Sequence, residues 1–271
     1  MINYFYSAIF GIIQGITEFV PISSSGHLVI LHDFISLPIQ NQMAFDVILH
    51  FGSLLAVIYY FKKDIASLLT AWLRSFAGKR NDSSRLSWLI ILSTIPAALV
   101  GFLFNDLIEN KFRSILVVAA MLVIVGILFI IFEKFSQKNK EYKNIGWREA
   151  LIIGLAQIIA FIPGTSRSGI TIIAGLSANL KREAAVRFSF LLSIPIIFGA
   201  VIVKMPSIIK SKPPAEEMLL LIVGFIFSYL AGFLAIKYFM RFIKNHSLNI
   251  FAVYRFVLAA IILVYFFIFQ S

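Results

Sequence analysis

The sequence predicts an all-α polytopic membrane protein, with six transmembrane helices plus two re-entrant helical hairpins in an inverted-topology repeat. Three observations predict it. The 271 residues are 60% hydrophobic and only 14% charged, with a mean hydropathy of +0.92, against about 45–50% apolar and about 25% charged in a soluble domain. Apolar runs near the length of a bilayer span recur from end to end. Two further apolar regions are each broken near the middle by a polar stretch containing Pro and Gly.

The composition excludes disorder, a nucleic-acid module and a secreted disulfide scaffold. The absence of cysteine excludes thiolate metal sites and thiol catalysis. Residues 1–61 contain no Lys or Arg, so the start of the chain lacks the basic region of a signal peptide.

In chain order, the first element is the broken region 4–37, interrupted by Pro21 to His27. Spans follow at 45–61, 88–104 and 115–132, each near the ~20 residues that cross a hydrocarbon core of about 30 Å. A polar linker, 136–144, leads to the second broken region, 150–180, interrupted by Pro163 to Thr171. Spans at 188–203, 218–236 and 250–269 complete the chain. The pieces flanking each break are mostly too short to cross alone at about 1.5 Å per residue. Pro removes a backbone donor and Gly loosens the chain, so a helix stops there. Both regions are therefore expected to be hairpins with tips inside the membrane, where broken backbone must be buried in protein or line a wet cavity.

Loop charge sets the expected sidedness. The stretches 62–87, 133–149, 181–187 and 237–255 carry 18 Lys and Arg residues, and 105–114 and 204–217 carry 5. The basic stretches are cytoplasmic by the positive-inside rule, which puts both termini outside. That rule, rather than nucleic acid, accounts for the net charge of +11.

A shift of 143 residues places Gly11 on Gly154, Gln14 on Gln157, Ser23 on Ser166, Ser25 on Ser168 and Gly26 on Gly169. The chain thus reads as one integral domain of two repeats, 1–135 and 145–271, joined by the linker. An odd number of crossings separates them, so they are inverted, and their broken tips enter from opposite faces to meet near the midplane. Transporters build sites this way, but a scaffold does not settle function.

The chemistry concentrates at the two breaks. Glu18 and Arg167 are ionisable groups inside broken apolar hairpins, and a mid-bilayer charge costs about 2.5–3.5 kcal/mol even on the lenient insertion scale. Read blandly, they form a salt bridge between hairpins. The hydroxyls, imidazole and flexible backbone around them favour function. Gln14 and Glu18, four residues apart, share a helical face, and Ser23, Ser24, Ser25 and His27 follow in the break. His32, Asp46 and His50 are assigned structural or boundary roles, and Asp33 is read as solvated near the outer surface. In the second break, Arg167 offers a planar fork suited to phosphate oxygens. Thr165, Ser166, Ser168 and Thr171 can donate alongside it, and a helix N-terminus favours an anion. Glu18 and His27 supply an acid/base pair, or Glu18 a carboxylate for a divalent cation brought by a polyphosphate. A phosphate site within the membrane suggests a phosphorylated lipid.

At these residues the chain resembles a known family. Gln14 to His27, QGITEFVPISSSGH, and Pro163 to Thr171, PGTSRSGIT, resemble the two signatures of the bacterial undecaprenyl-pyrophosphate phosphatases of the bacitracin-resistance type, with the neutral Gln14 where the family often has Glu. The likeness extends to the overall length, the linker and the late YRF of Tyr254 to Phe256. It implies a hydrolase that removes the terminal phosphate of undecaprenyl pyrophosphate and so recycles the lipid carrier of cell-wall synthesis. It further implies a bacterial cytoplasmic-membrane location, a divalent cation (Mg2+ or Ca2+) and a site open to the periplasmic or outer side. Carried over, Arg167 would hold the pyrophosphate, Glu18 would bind metal or act as base, and His27 would be an acid/base or phosphate contact. Ser24 would be a nucleophile or orienting hydroxyl, with direct water attack as the other route. Gln14, Ser23, Ser25, Thr165, Ser166, Ser168 and Thr171 would contact substrate. The partners implied are the polyprenyl pyrophosphate and the membrane, with no nucleic acid and a homodimer left open. The alternative is a transporter or flippase of an anionic lipid or solute on the same inverted repeat.

Overall fold

The computed structural model describes residues 1–111, 114–211 and 213–269. Arg113, Lys212 and the side chain of Lys111, which enter the outer-side charge count, lie outside the described residues. Among those described, the chain is helical throughout, with no strand beyond an isolated bridge between Lys140 and Leu180. The helices are α1 (Ile2–Phe19), α2 (Ser24–Phe34), α3 (Gln42–Tyr60), α4 (Lys62–Phe76), α5 (Asp82–Lys111) and α6 (Ile115–Phe135). After a 3-10 turn at Tyr142–Asn144 come α7 (Trp147–Ile159), α8 (Arg167–Ser177), α9 (Arg182–Ser211), α10 (Ala215–Phe242) and α11 (Asn249–Phe269).

Among the described residues, six helices are long and apolar enough to cross a membrane: α3, α5 to Phe104, α6, α9 to Pro206, α10 and α11. Each contains nearly all of one of the six expected runs. The remaining apolar helices, α1 with α2 and α7 with α8, are the broken regions, and α2, α7 and α8 have only 11, 13 and 11 residues. This is compatible with two re-entrant hairpins. The packing pairs are likewise compatible with an inverted repeat: α1 lies on α10 as α7 lies on α5, α3 on α10 as α9 on α5, while α3 meets α9 and α6 meets α11. A side chain on Gly11 would collide with the Gly224 carbonyl of α10, and one on Gly154 with the Ser93 backbone of α5. Small residues admit such close crossings in membranes, where packing rather than a hydrophobic force joins helices.

One helix was not visible in the sequence reading. The stretch 62–87, taken as a basic loop, contains α4. Its Ser87-facing side packs on α5, with the Ser87 hydroxyl donating to the Leu68 carbonyl at 2.8 Å and Trp72 against Trp88 at 5.9 Å. Leu69, Leu73 and Phe76 are exposed, Phe76 beside Trp88 at 5.7 Å, and the helix also carries Lys62, Lys63 and Arg74. Exposed apolar side chains together with Lys and Arg on one helix are the composition of a helix suited to a membrane surface. The linker is also no free tether. Lys140 reaches Glu149 at 2.6 Å, Lys181 reaches Glu141 at 3.0 Å, and Glu133 pairs with Arg182 and Lys138. The hydrogen bond and charge of Lys181, followed by the charge of Lys143, hold the Glu141 carboxyl below the usual carboxylate range.

The core behind the site is aromatic. Phe19, the last residue of α1, meets Phe190 of α9 edge-to-face at 5.2 Å, and Phe190 in turn meets Phe61 and Phe239 at 6.4 and 5.9 Å. Burying Phe19 there fixes the depth and rotation of the α1 tip, and with it Glu18.

Sidedness is tested by cysteine labelling, since the chain has none of its own. Asp33→Cys should react with an impermeant thiol reagent in intact cells, and Lys79→Cys should be protected until the membrane is opened; the reverse pattern would invert the topology.

Candidate active site

The two breaks share the cap that starts the following helix, although α1 ends in extended backbone and α7 in a helical turn. α1 ends at Phe19, the chain runs extended through Val20, and Ser23 turns with φ 77° to cap α2, its Oγ accepting from the Gly26 amide at 3.2 Å. In the second hairpin Ser166 turns with φ 69° to cap α8, its Oγ accepting from the Gly169 amide at 3.1 Å. Ser23 and Ser25 share a hydroxyl contact at 3.3 Å, and Ser166 and Ser168 one at 3.1 Å. A positive φ at a non-glycine residue costs about 1–3 kcal/mol and persists only where the surroundings over-determine it. Gly164 has φ 91°, and the Val118 backbone lies where a side chain would be, so both the conformation and the space favour glycine.

Arg255 supplies the over-determination. Its Nε donates to the Pro21 carbonyl at 2.8 Å, and its NH1 and NH2 donate to the carbonyls of Gly164 and Thr165 at 3.2 and 3.1 Å. One buried guanidinium thus ties both tips together, and among the described residues no carboxylate pairs with it. The sequence reading counted Arg255 as a cytoplasmic-loop charge. That assignment is wrong: Arg255 lies in the second turn of α11 and points inward, drawn by carbonyls that the breaks leave without helical donors.

Glu18 and Arg167 meet, as their placement in the breaks suggested. Arg167 NH2 donates to Glu18 Oε1 at 2.8 Å and NH1 to the Ser189 carbonyl at 3.0 Å. Glu18 Oε2 accepts from Gln14 Nε2 at 3.0 Å and from Ser24 Oγ at 2.9 Å. Gln14 Nε2 also reaches Ser53 Oγ at 3.3 Å, while its buried Oε1 has no partner. A cavity of about 260 Å³ opens over this group, with Glu18, Ser24, Ser25, Ser166 and Arg167 at its polar end and Ala97, Phe161, Ile197 and Val201 among its apolar walls.

Other predicted residues lie elsewhere. The imidazole on Glu18 is that of His50, with Nε2 3.4 Å from Oε2, rather than that of His27. His50 Nδ1 bonds the Asp46 carbonyl at 2.8 Å; a carbonyl only accepts, so Nδ1 carries the proton and Nε2 presents its lone pair, or a second proton, to the cavity. His27 Nδ1 donates to the Ser23 carbonyl at 2.7 Å and its Nε2 accepts from the Tyr254 hydroxyl at 2.8 Å. Thr171 is fully buried behind the site, donating to the Arg167 carbonyl at 2.8 Å and touching Ser189 Oγ at 2.7 Å. Ser168 and Thr165 are buried too, and Thr165 Oγ1 has no partner. His32 and Asp46 pair at 2.9 Å, as a structural role requires. His50, Arg255, Tyr254 and Ser189 were missed, because each reaches the site only through tertiary packing.

Chemically, the site offers a guanidinium and hydroxyls for an anion, beside a carboxylate already bonded to a serine hydroxyl. Among the described residues no three His, Cys, Asp or Glu side chains converge on a metal position. The Glu18 carboxylate, with the unpartnered oxygen of the Gln14 amide whose nitrogen bonds it, has donor chemistry suited to an oxygen-seeking cation.

Comparison with known proteins agrees with this chemistry. A family model described as bacitracin resistance protein BacA matches residues 7–261. An undecaprenyl-diphosphatase of Rubrobacter xylanophilus is 42% identical over 267 residues, covering 97% of this chain and 98% of its own. One of Alteromonas mediterranea is 41% identical over 256 residues, covering 94% and 96%.

The tie between the tips gives a stability prediction. Arg255→Met removes three donors and leaves three buried carbonyls, each worth about 1–3 kcal/mol when unsatisfied. Its melting temperature in detergent should fall by at least about 5 °C, on the size scaling for chains this long; an unchanged melting curve would show that the tips hold without it.

Proposed function

Because this chain belongs to the bacitracin resistance protein BacA family, we infer that it is an undecaprenyl-diphosphatase, a membrane hydrolase that converts undecaprenyl diphosphate to undecaprenyl phosphate and inorganic phosphate. The observation that carries this reading to named residues is the contact of Glu18 with Arg167 and Ser24 at the meeting of two broken helices. A lipid diphosphate needs an anion site at membrane depth, apolar walls for the chain beyond it and an activated nucleophile. The lining of the cavity supports such a reading, with Arg167, Ser24 beside Glu18, and apolar walls.

Arg167 binds the terminal phosphate through its remaining N–H donors, joined by Ser25, Ser166 and the amides that open α8. Buried Arg255, bonded to three carbonyls and lying over the Phe129 ring, adds a fixed positive potential behind the tips. Ser24 Oγ attacks the terminal phosphorus, and its proton passes to Glu18. The bond to the bridging oxygen breaks, and undecaprenyl phosphate leaves with the electron pair. Glu18 gives up the proton to the departing group, then takes one from the water that attacks the phosphoserine; the bond from phosphorus to Ser24 Oγ breaks, inorganic phosphate leaves, and Glu18 returns the proton to Ser24 Oγ. His27 is a positioning residue, holding the Ser23 carbonyl and so the turn that aims Ser24. Glu18 and Gln14 Oε1 would hold a divalent cation, which supplies charge neutralisation to the diphosphate.

The site belongs to the outer side. Val47 and His50 lie in the first half of α3, and Ile196 to Val201 in the second half of α9. With 62–87 and 181–187 cytoplasmic, these are the outer halves of both helices. Carrier lipid left in the outer leaflet after polymer assembly reaches such a site without crossing the membrane.

Purified protein in detergent should release phosphate from undecaprenyl diphosphate; tight binding without release would contradict the assignment. Arg167→Lys should lose at least about 10²-fold in kcat/KM, roughly 2.7 kcal/mol of transition-state stabilisation, since a point charge cannot replace the fork. Near-normal activity would leave Arg167 only a charge-balancing role. Acid quenching during turnover of substrate labelled in the terminal phosphate should trap label on the wild type and none on Ser24→Ala. An active Ser24→Ala would make water the nucleophile. Glu18→Gln keeps the shape and should lose both activities across a cation titration.

A further inference from the structure

Gln157 lines the same cavity from α7, with Glu18, Ser24, His50 and Arg167 around it. Its side chain is buried, at 2% exposure, and neither Nε2 nor Oε1 has a hydrogen-bond partner. Both ends of a buried amide left unmade is an anomaly, because native structures satisfy nearly all such groups. The comparison with Gln14 sharpens it. Gln14 finds Glu18 four residues on, along its own helix. The residue four beyond Gln157 is Phe161, which offers nothing polar. Packing alone would be better served by Leu or Met, which fill the space without a desolvated amide.

We infer that Gln157 is a substrate-contacting residue, its amide held unpartnered until the diphosphate enters. This rests on the reading of the cavity as the undecaprenyl diphosphate site. Arg167 has committed one N–H of NH1 to the Ser189 carbonyl and one of NH2 to Glu18, so its remaining donors cover only part of a diphosphate's oxygens. The Gln157 Nε2 supplies a neutral donor to phosphate oxygens from the facing hairpin wall. Its Oε1 accepts from a protonated phosphate oxygen or a water, a pairing that neither guanidinium nor serine amide nitrogen provides. The two hairpins then contribute unlike groups to one ligand: carboxylate and serine from the first, guanidinium and amide from the second.

The test separates binding from folding. Gln157→Leu and Gln157→Met are purified in detergent beside the wild type, and melting temperature and phosphate release from undecaprenyl diphosphate are measured for each. The expected result is a melting temperature at or above that of the wild type, with kcat/KM lowered at least about 10-fold, mostly through KM. A stable protein with weaker substrate capture is a pattern that a structural residue does not produce. Activity within about twofold of the wild type in either folded variant would overturn the inference, as would activity lost in step with melting temperature in both. Failure of the wild type itself to release phosphate would overturn the assignment of the substrate, and this inference with it; wild-type turnover with unaffected Gln157 variants would overturn this inference alone.

Discussion

The contact between Glu18 and Arg167 is the constraint that the rest of the structure serves. Neither charge is tolerable alone at membrane depth, and the two are 149 residues apart in the chain. They meet because α1 and α7 stop short and the turns that follow them are brought together. The breaks at Pro21 and Pro163 stop the helices. Gly11 and Gly154 let the hairpins seat closely on α10 and α5. Phe19 anchors one tip in the aromatic core, and Arg255 ties both tips by their carbonyls. A buried ion pair is weak evidence for stability, so this amount of supporting structure argues that the pair exists for chemistry.

The two hairpins share a scaffold and divide the labour. At a spacing of 143 residues, Ser23 and Ser166 have the same cap, the same positive φ and the same serine neighbour. Where the chemistry lies, the copies differ: Glu18 faces Phe161 in the register, and Ser24 faces Arg167. Had both kept a carboxylate or both an arginine, like charges would meet between the two tips. Asymmetry on a common backbone gives a carboxylate, a serine and a guanidinium in one cavity.

The spans and breaks were legible because length, hydropathy and Pro/Gly interruptions act locally. Glu18, Ser24 and Arg167 were legible because polar groups have no cheap place in an apolar hairpin. What the sequence did not disclose depends on direction and on partners far along the chain. Arg255 reads as the last of a basic loop, yet its acceptors lie 234, 91 and 90 residues away. His50 looks like a boundary histidine on α3 until α1 packs beside it. His27 shares a motif with Glu18 but turns to Tyr254, and Thr171 shares one with Arg167 but bonds back into its own helix. The basic residues of α4 concealed an amphipathic helix, because charge was read there as loop.

The central claim is that the Glu18–Arg167 pair is kept for reaction rather than for fold. The most direct measurement is the melting temperature and phosphate release of the double variant Glu18→Gln/Arg167→Met, which removes both charges together and leaves neither stranded. Neutral replacement of a buried pair is often neutral or stabilising. The account predicts a folded protein with melting temperature near the wild type and turnover of undecaprenyl diphosphate at background. Turnover within about tenfold of the wild type in that folded double variant would contradict it.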